Sequence, residues 1–344
     1  MLVKKIVIAF EDIPHDLDIY DNVIYRLLSE KYEVEVVDTK NVKERDKIQY
    51  LFYSAYGSNY LNYSCIRIFI TGENLCPDFN ICDYAIGFEY MSFEDRYIRY
   101  PIYMWDGYQK RYESAKGRLR SMDTADLTKR KFCGMVVSND LFADPYRIDF
   151  FKALSEYKQV DSGGKSHNNI GIPEGVEDKI DFLKDYKFSL AFENSSYSGY
   201  TTEKITDSFA ARTVPIYWGD PRVKEQFNPN AFIDCTGKTL DEALEIIRRI
   251  DENDELYLKM LNEPSRIQSD VVQDAENRLK TFLYNIIDAD YEKARRRPLI
   301  GKMAVYEEHY RKLVYTEMKI KKHVNLYKIV KFVKGKMGNK YEIG

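Results

Sequence analysis

The stretch FSLAFENSSYSGYTTEKITDSFAARTVPIYWG, residues 188–219, joins two apolar runs through a polar loop and a helical segment. Residues 188–192 and Val214–Trp218 are short, apolar and rich in aromatic or β-branched side chains, the pattern of strands buried on both faces. Between them the turn Tyr197-Ser198-Gly199-Tyr200 leads to Thr201-Thr202-Glu203-Lys204. These residues open a helix whose Ile205 and Phe209 are four apart on one face, with Thr201 or Thr202 as the N-cap. Strand, helix and strand in this order predict a parallel sheet covered by helices.

The same alternation extends in both directions. Further strands are expected at 6–10, 34–37, 66–71, 85–88, 132–137 and 231–234, so the fold class is α/β. The polar, mostly charged stretch 123–131 reads as a hinge. Three parts follow: an N-terminal domain over 1–128, a second domain over 129–292 and a C-terminal tail over 293–344. Residues 239–250 form a scaffold helix, with apolar side chains at helical spacing, acids early and arginines late.

Composition narrows the function classes. With 344 residues, 44% apolar, and a net charge of −3, the chain can bury two cores and is no disordered or polyanion-binding protein. No apolar run approaches the length needed to cross a bilayer, and the N-terminal apolar run, closed by Glu11 and Asp12, reads as a strand and not a signal peptide. Five cysteines without paired spacing fit a reduced, cytoplasmic protein. Four scattered histidines do not make a zinc site. Neither G-x-G-x-x-G nor a P-loop is present. Asp16-Leu17-Asp18 and Asp288-Ala289-Asp290 match a D-x-D pattern, but in a charged, surface-like context.

In open α/β sheets ligands bind beyond the carboxyl ends of the strands. Three such ends carry chemistry: Gly72-Glu73-Asn74, Glu193-Asn194-Ser195-Ser196 and Gly219-Asp220-Pro221. Lys204 is conspicuous because a lysine in a helix's first turn opposes the positive end of the dipole. An anion there would resolve the conflict, and a phosphate or pyrophosphate suits such a site.

Residues 192–195, 200–205 and 214–219 together resemble the donor-site signature of the α1,3/4-fucosyltransferases, glycosyltransferase family 10. Residues 71–74, 77–80 and 83–88 are similar to the acceptor-side block of bacterial members. The resemblance implies a GT-B fold, two Rossmann-like domains facing across a cleft, and inverting transfer of L-fucose from GDP-fucose. It places the general base at Glu73, the donor-phosphate contacts at Arg147 and Lys204, and nucleotide or fucose contacts at Asn194, Tyr200 and Glu203. It also brings Ser138, in Val137-Ser138-Asn139, near the nucleotide. No metal or other cofactor is essential in this scheme, although a divalent ion could stimulate. Glu193 is expected to order its loop, and Arg96, Arg99 and the tyrosine-rich stretch 84–112 to line an acceptor groove.

The tail is electrostatically distinct: residues 291–344 carry a net charge of +10, leaving −13 on the rest. Within it, 311–340 reads as a basic amphipathic helix suited to an anionic membrane surface, with solvation or docking on the acidic body as the alternatives. The expected acceptor is an oligosaccharide or lipid-linked glycan of N-acetyllactosamine type in a bacterial surface polysaccharide, with no nucleic acid partner. Competing readings are a GT-B transferase of another nucleotide sugar and a non-catalytic glycan- or nucleotide-binding assembly protein.

Overall fold

A computed structural model describes residues 3–323, except 16, 120–123, 267, 269 and 299. Strands β1 (Lys5–Glu11), β2 (Glu33–Val36), β3 (Tyr50–Tyr53), β4 (Ile66–Ile70), β5 (Tyr84–Gly87) and β6 (Tyr97–Arg99) form a parallel sheet in the order β2-β1-β3-β4-β5-β6. A second parallel sheet, ordered β11-β10-β9-β7-β8, contains β7 (Lys131–Met135), β8 (Val160–Ser162), β9 (Tyr186–Phe192), β10 (Val214–Trp218) and β11 (Ile233–Asp234). Every residue of β4, β9 and β10 is buried, Arg67, Lys187 and Ser189 among them, as strands covered on both faces require. Strand order reverses between β1 and β3 and again between β7 and β9. These are the switch points where an α/β sheet opens a crevice.

All eight expected strands are present, within two residues at their ends. Three others escape the sequence pattern. β3 lies inside the first sheet, yet its Tyr50-Leu51-Phe52-Tyr53 run sits in a tyrosine-rich stretch and carries no β-branched residue. β6 and β8 are three-residue edge strands, too short for periodicity to register.

The helices are α1 (Val23–Ser29), α2 (Asp106–Leu119), α3 (Thr124–Thr128), α4 (Tyr146–Tyr157), α5 (Lys179–Leu183), α6 (Glu203–Ala210), α7 (Leu240–Asp251), α8 (Asp254–Asn262), α9 (Val271–Asp288), α10 (Tyr291–Ala294) and α11 (Lys302–His323). The hinge expected at 123–131 contains α3 and the first residue of β7. α7 begins with a capping box between Thr239 and Glu242, a reciprocal pairing that satisfies two otherwise orphaned N–H groups.

Packing crosses the expected boundary at 292. Ala275, Leu279, Leu283 and Ile286 of α9 share a core with Ile6, Ile8, Val23 and Leu27 of the first half. Tyr284 Oη donates to the Leu27 carbonyl at 3.0 Å, and Arg26 pairs with both Asp106 and Glu276. α2 crosses the other way: its Tyr112 and Ala115 pack with Ile180, Leu183, Ala210 and Ala211 of the second half. The boundary at 128 therefore cuts after a helix that already belongs to its neighbour's surface. An amphipathic stripe specifies that a helix must cover a sheet, and leaves open which sheet.

The described part of the tail also packs on the first half. Arg67, Asp83 and Arg297 are buried together, and Glu307 of α11 bonds both arginines, at 2.8 and 3.1 Å. Tyr310 and Val314 pack against the first sheet's outer core. Among the described residues no helix is long and apolar enough to cross a membrane. Most of the expected amphipathic helix over 311–340, including its apolar positions Val324, Leu326, Tyr327, Val330 and Val333, lies outside the described residues.

Candidate active site in the cleft

The two sheets present their carboxyl ends to one cavity of about 500 Å³. Its first wall comes from the loop after β1 (Pro14, Leu17, Asp18), the loop after β3 (Ser54, Tyr56), the end of β4 (Thr71, Gly72, Glu73) and the start of α2 (Trp105, Asp106, Tyr108, Arg111). The facing wall is Asn194, Tyr200, Thr202, Glu203 and Lys204. Five of the sequence-expected residues thus meet in one space: Glu73 across from Asn194, Tyr200, Glu203 and Lys204.

Glu73 is held at two points. Its N–H donates to Thr71 Oγ1 at 3.0 Å, and its Oε1 accepts from Tyr56 Oη at 2.8 Å. Its loop also closes the cleft, since Asn74 Nδ2 donates to Ser195 Oγ at 2.6 Å. Nearby Phe88 of the first half stacks edge-on against Tyr197 and Tyr200 of the second. Gly199, at φ +87°, brings its backbone so close that a Cβ would lie 2.5 Å from the Phe88 carbonyl oxygen. Only a residue without a side chain fits that approach.

The awkward lysine is compensated from inside the protein. Lys204 Nζ lies 3.0 Å from Glu193 Oε2 and 4.0 Å from Glu203 Oε1. Burial works against its charge, yet Glu193 and then Glu203 hold its pKa above the ordinary lysine value. Burial would raise the Glu203 carboxyl too, but Lys204 and Lys179 outweigh it and bring it down to about 2. Glu193 itself is fully buried and also accepts from the Thr202 N–H and hydroxyl, each at 2.7 Å. Thr202 is the N-cap position of α6, but its side chain is turned to Glu193 and does not cap the helix. Glu193 therefore does more than order its loop: it sets both the lysine and the helix entry. The sequence signal was an acid directly following a largely apolar strand.

Arg147 and Ser138 stand off the cavity wall. Arg147 is buried on α4, with Nη1 donating to Asn194 Oδ1 and Nη2 to the Asn139 carbonyl, both at 2.9 Å. Burial lowers its pKa. It links the loops after β7 and β9, the second sheet's switch point, and its contact with the cavity runs through Asn194. Ser138 is exposed beside Asn139 in the same loop. Arg96 and Arg99 also differ from expectation. Arg96 is spent on the carbonyls of Phe79, Cys82 and Asp83, and Arg99 on the Phe88 carbonyl and Gln226. From the stretch 84–112, it is Trp105, Tyr108 and their neighbours that reach the cavity. Asp18, read from sequence as a surface charge, lines it too. Among the described residues no three His, Cys, Asp or Glu side chains are grouped to hold a metal.

Comparison with known proteins agrees with this geometry. Residues 8–106 match the α-(1,3)-fucosyltransferase FucT N-terminal domain, and residues 127–284 match the C-terminal domain of glycosyltransferase family 10 (fucosyltransferase). The chain is 35% identical over 276 residues to the α-(1,3)-fucosyltransferase FucT of Helicobacter pylori, covering 71% of this chain and 56% of that protein. It is 31% identical over 135 residues to GDP-fucose protein O-fucosyltransferase 3 of Danio rerio, covering 36% of this chain and 30% of that one. The chain therefore spans about half, or less, of the length of these relatives. A crystal structure of an α1,3-fucosyltransferase with GDP-fucose superposes with a TM-score of 0.68 at 30% identity, over 85% of this chain and 93% of that one. Two family domains in the expected order, on two Rossmann-like halves that face across a GT-B cleft, identify the chain as a member of glycosyltransferase family 10, the fucosyltransferases.

Proposed function

We propose that this protein transfers L-fucose from GDP-fucose to a sugar hydroxyl, forming an α1,3 linkage with inversion. The observation that carries the reading is that Glu73 on one wall of the cavity faces Lys204 and the α6 N-terminus on the other. A neutral hydroxyl is a poor nucleophile, so Glu73 takes its proton as the oxygen bonds to the fucose anomeric carbon. The bond from that carbon to the β-phosphate oxygen breaks, and GDP leaves with the electron pair. Lys204 and the helix dipole stabilise the charge that grows on the departing diphosphate. Displacement by one base on the opposite face converts the β-linked donor to an α-fucoside.

The proposed acceptor is a neutral N-acetyllactosamine-type glycan, fucosylated on O3 of its N-acetylglucosamine during bacterial surface polysaccharide synthesis. Catalysis proceeds without an essential metal. The enzyme works in the cytoplasm, peripherally on the inner face of the membrane.

The test is GDP release from GDP-fucose, with and without N-acetyllactosamine, in EDTA, for wild type and Glu73→Gln. Acceptor-stimulated release that disappears in the variant is the expected result. Turnover of GDP-mannose or a UDP-sugar in place of GDP-fucose would refute the donor assignment, and EDTA-sensitive release would refute metal independence.

A further inference from the structure

We infer that Tyr56 is the positioning residue of the proposed base, selecting which oxygen of Glu73 receives the proton; this rests on the reading of Glu73 above. The backbone and the carboxylate of Glu73 are fixed from different places. Thr71 pins the backbone, accepting the Glu73 N–H and donating its hydroxyl to the Glu73 carbonyl at 3.1 Å. The carboxylate is met by Tyr56 from the loop after β3, 2.8 Å from Oε1.

Tyr56 is half-exposed, at 53%, and an exposed tyrosine ordinarily has freedom to turn away. Here its loop is tied to the switch point of the first sheet. The Tyr56 N–H donates to the Asp12 carbonyl at 3.1 Å, and the Tyr60 N–H to Asp12 Oδ2 at 2.8 Å. Between them Gly57 lies so close that a Cβ there would sit 2.0 Å from Asp12 Oδ1. Asn59 and Tyr63 donate to the two carboxylate oxygens of Glu11, at 3.2 and 2.9 Å. The hydroxyl is thus delivered to Glu73 by a braced loop.

Two consequences follow from the bond. It occupies Oε1, so the acceptor proton goes to Oε2. The bond also holds the plane of the carboxylate, which keeps the base in its working orientation.

The experiment compares wild type with full-length Tyr56→Phe, using GDP-fucose and N-acetyllactosamine. The expected result is a fall of about tenfold in kcat, with an unchanged KM for GDP-fucose and an unchanged Tm. Charged groups sharing the cavity, Asp18, Asp21, Asp106, Arg111, Glu203 and Lys204, are the same in both proteins, so a fall in kcat without a change in KM reports the lost hydroxyl. Wild-type kcat in the variant overturns the inference. So does a fall in kcat accompanied by lost GDP binding and a lower Tm, which marks a structural role. Glu73→Gln run alongside separates the two levels: a variant that still transfers refutes the base itself, whereas a dead Glu73→Gln beside a normal Tyr56→Phe refutes the Tyr56 assignment alone.

Discussion

At the scale of single residues, Asp12 shows how a local conflict supports the site. It sits in left-handed backbone at φ +53°, a conformation that Asp and Asn tolerate better than most residues. Burial outweighs the hydrogen bond from Tyr60 and moves its carboxyl from 3.8 to about 6. The folded chain thus retains a proton between roughly pH 4 and 6 that the unfolded chain has released. Stability from this group is complete below about pH 4 and is lost as pH rises through 6. Asp12→Asn keeps the backbone preference and cannot ionise. Urea midpoints at pH 4.5 and 7.5 should therefore show the variant gaining on wild type as pH rises, whereas a constant difference would mean that the carboxylate is not strained by burial. Lys204 was legible at this scale because its position contradicts the helix dipole. Its pairing with Glu193 was not, because the contact spans a loop whose path no periodicity describes.

At the scale of elements, the short strands and the C-terminal helix carry the lesson. β9 and β10 are evident from their apolar runs, whereas β3 is hidden by tyrosines whose hydroxyls lower apparent hydrophobicity while their rings are buried. The segment 311–340 reads as a basic amphipathic helix suited to an anionic surface, with solvation or docking on the body as alternatives, and Glu307 of α11 joins the buried arginines Arg67 and Arg297. Arg297 Nε lies 2.9 Å from Asp83 Oδ2, which is fully buried. Breaking one partner of such a cluster strands the other charge away from water and costs about 3–5 kcal/mol. Arg297→Met should lose about that much in chemical denaturation, and Asp83→Asn added to it should recover part of the loss, since the two sites are coupled. A loss below about 1 kcal/mol would show that the cluster does not hold the helix to the first half.

At the scale of the whole molecule, two helices are exchanged between the halves: α2 packs on the second half and α9 on the first. The two walls of the cleft are thereby fixed to each other by crossing elements, and neither half has its complete core alone. The same scale holds the charge asymmetry, a basic C-terminal segment on an acidic body. Each lysine or arginine near an anionic leaflet contributes about 1 kcal/mol. Co-sedimentation with phosphatidylserine vesicles should therefore be salt-sensitive and should vanish when residues 318–344 are removed. Absence of binding at low salt would end the membrane proposal.

What the sequence by itself determined is local. Apolar runs specify strands, the α/β alternation specifies parallel sheets, and polar groups at strand ends mark the mouth of a crevice. These follow because backbone geometry and burial act on near neighbours. Tertiary structure alone decided which sheet each crossing helix covers, that Arg147 stands behind Asn194, that Glu193 neutralises Lys204, and that Tyr56 reaches Glu73. Each depends on the mutual placement of segments distant along the chain, which is set by packing of the whole and leaves no periodic trace in any one segment.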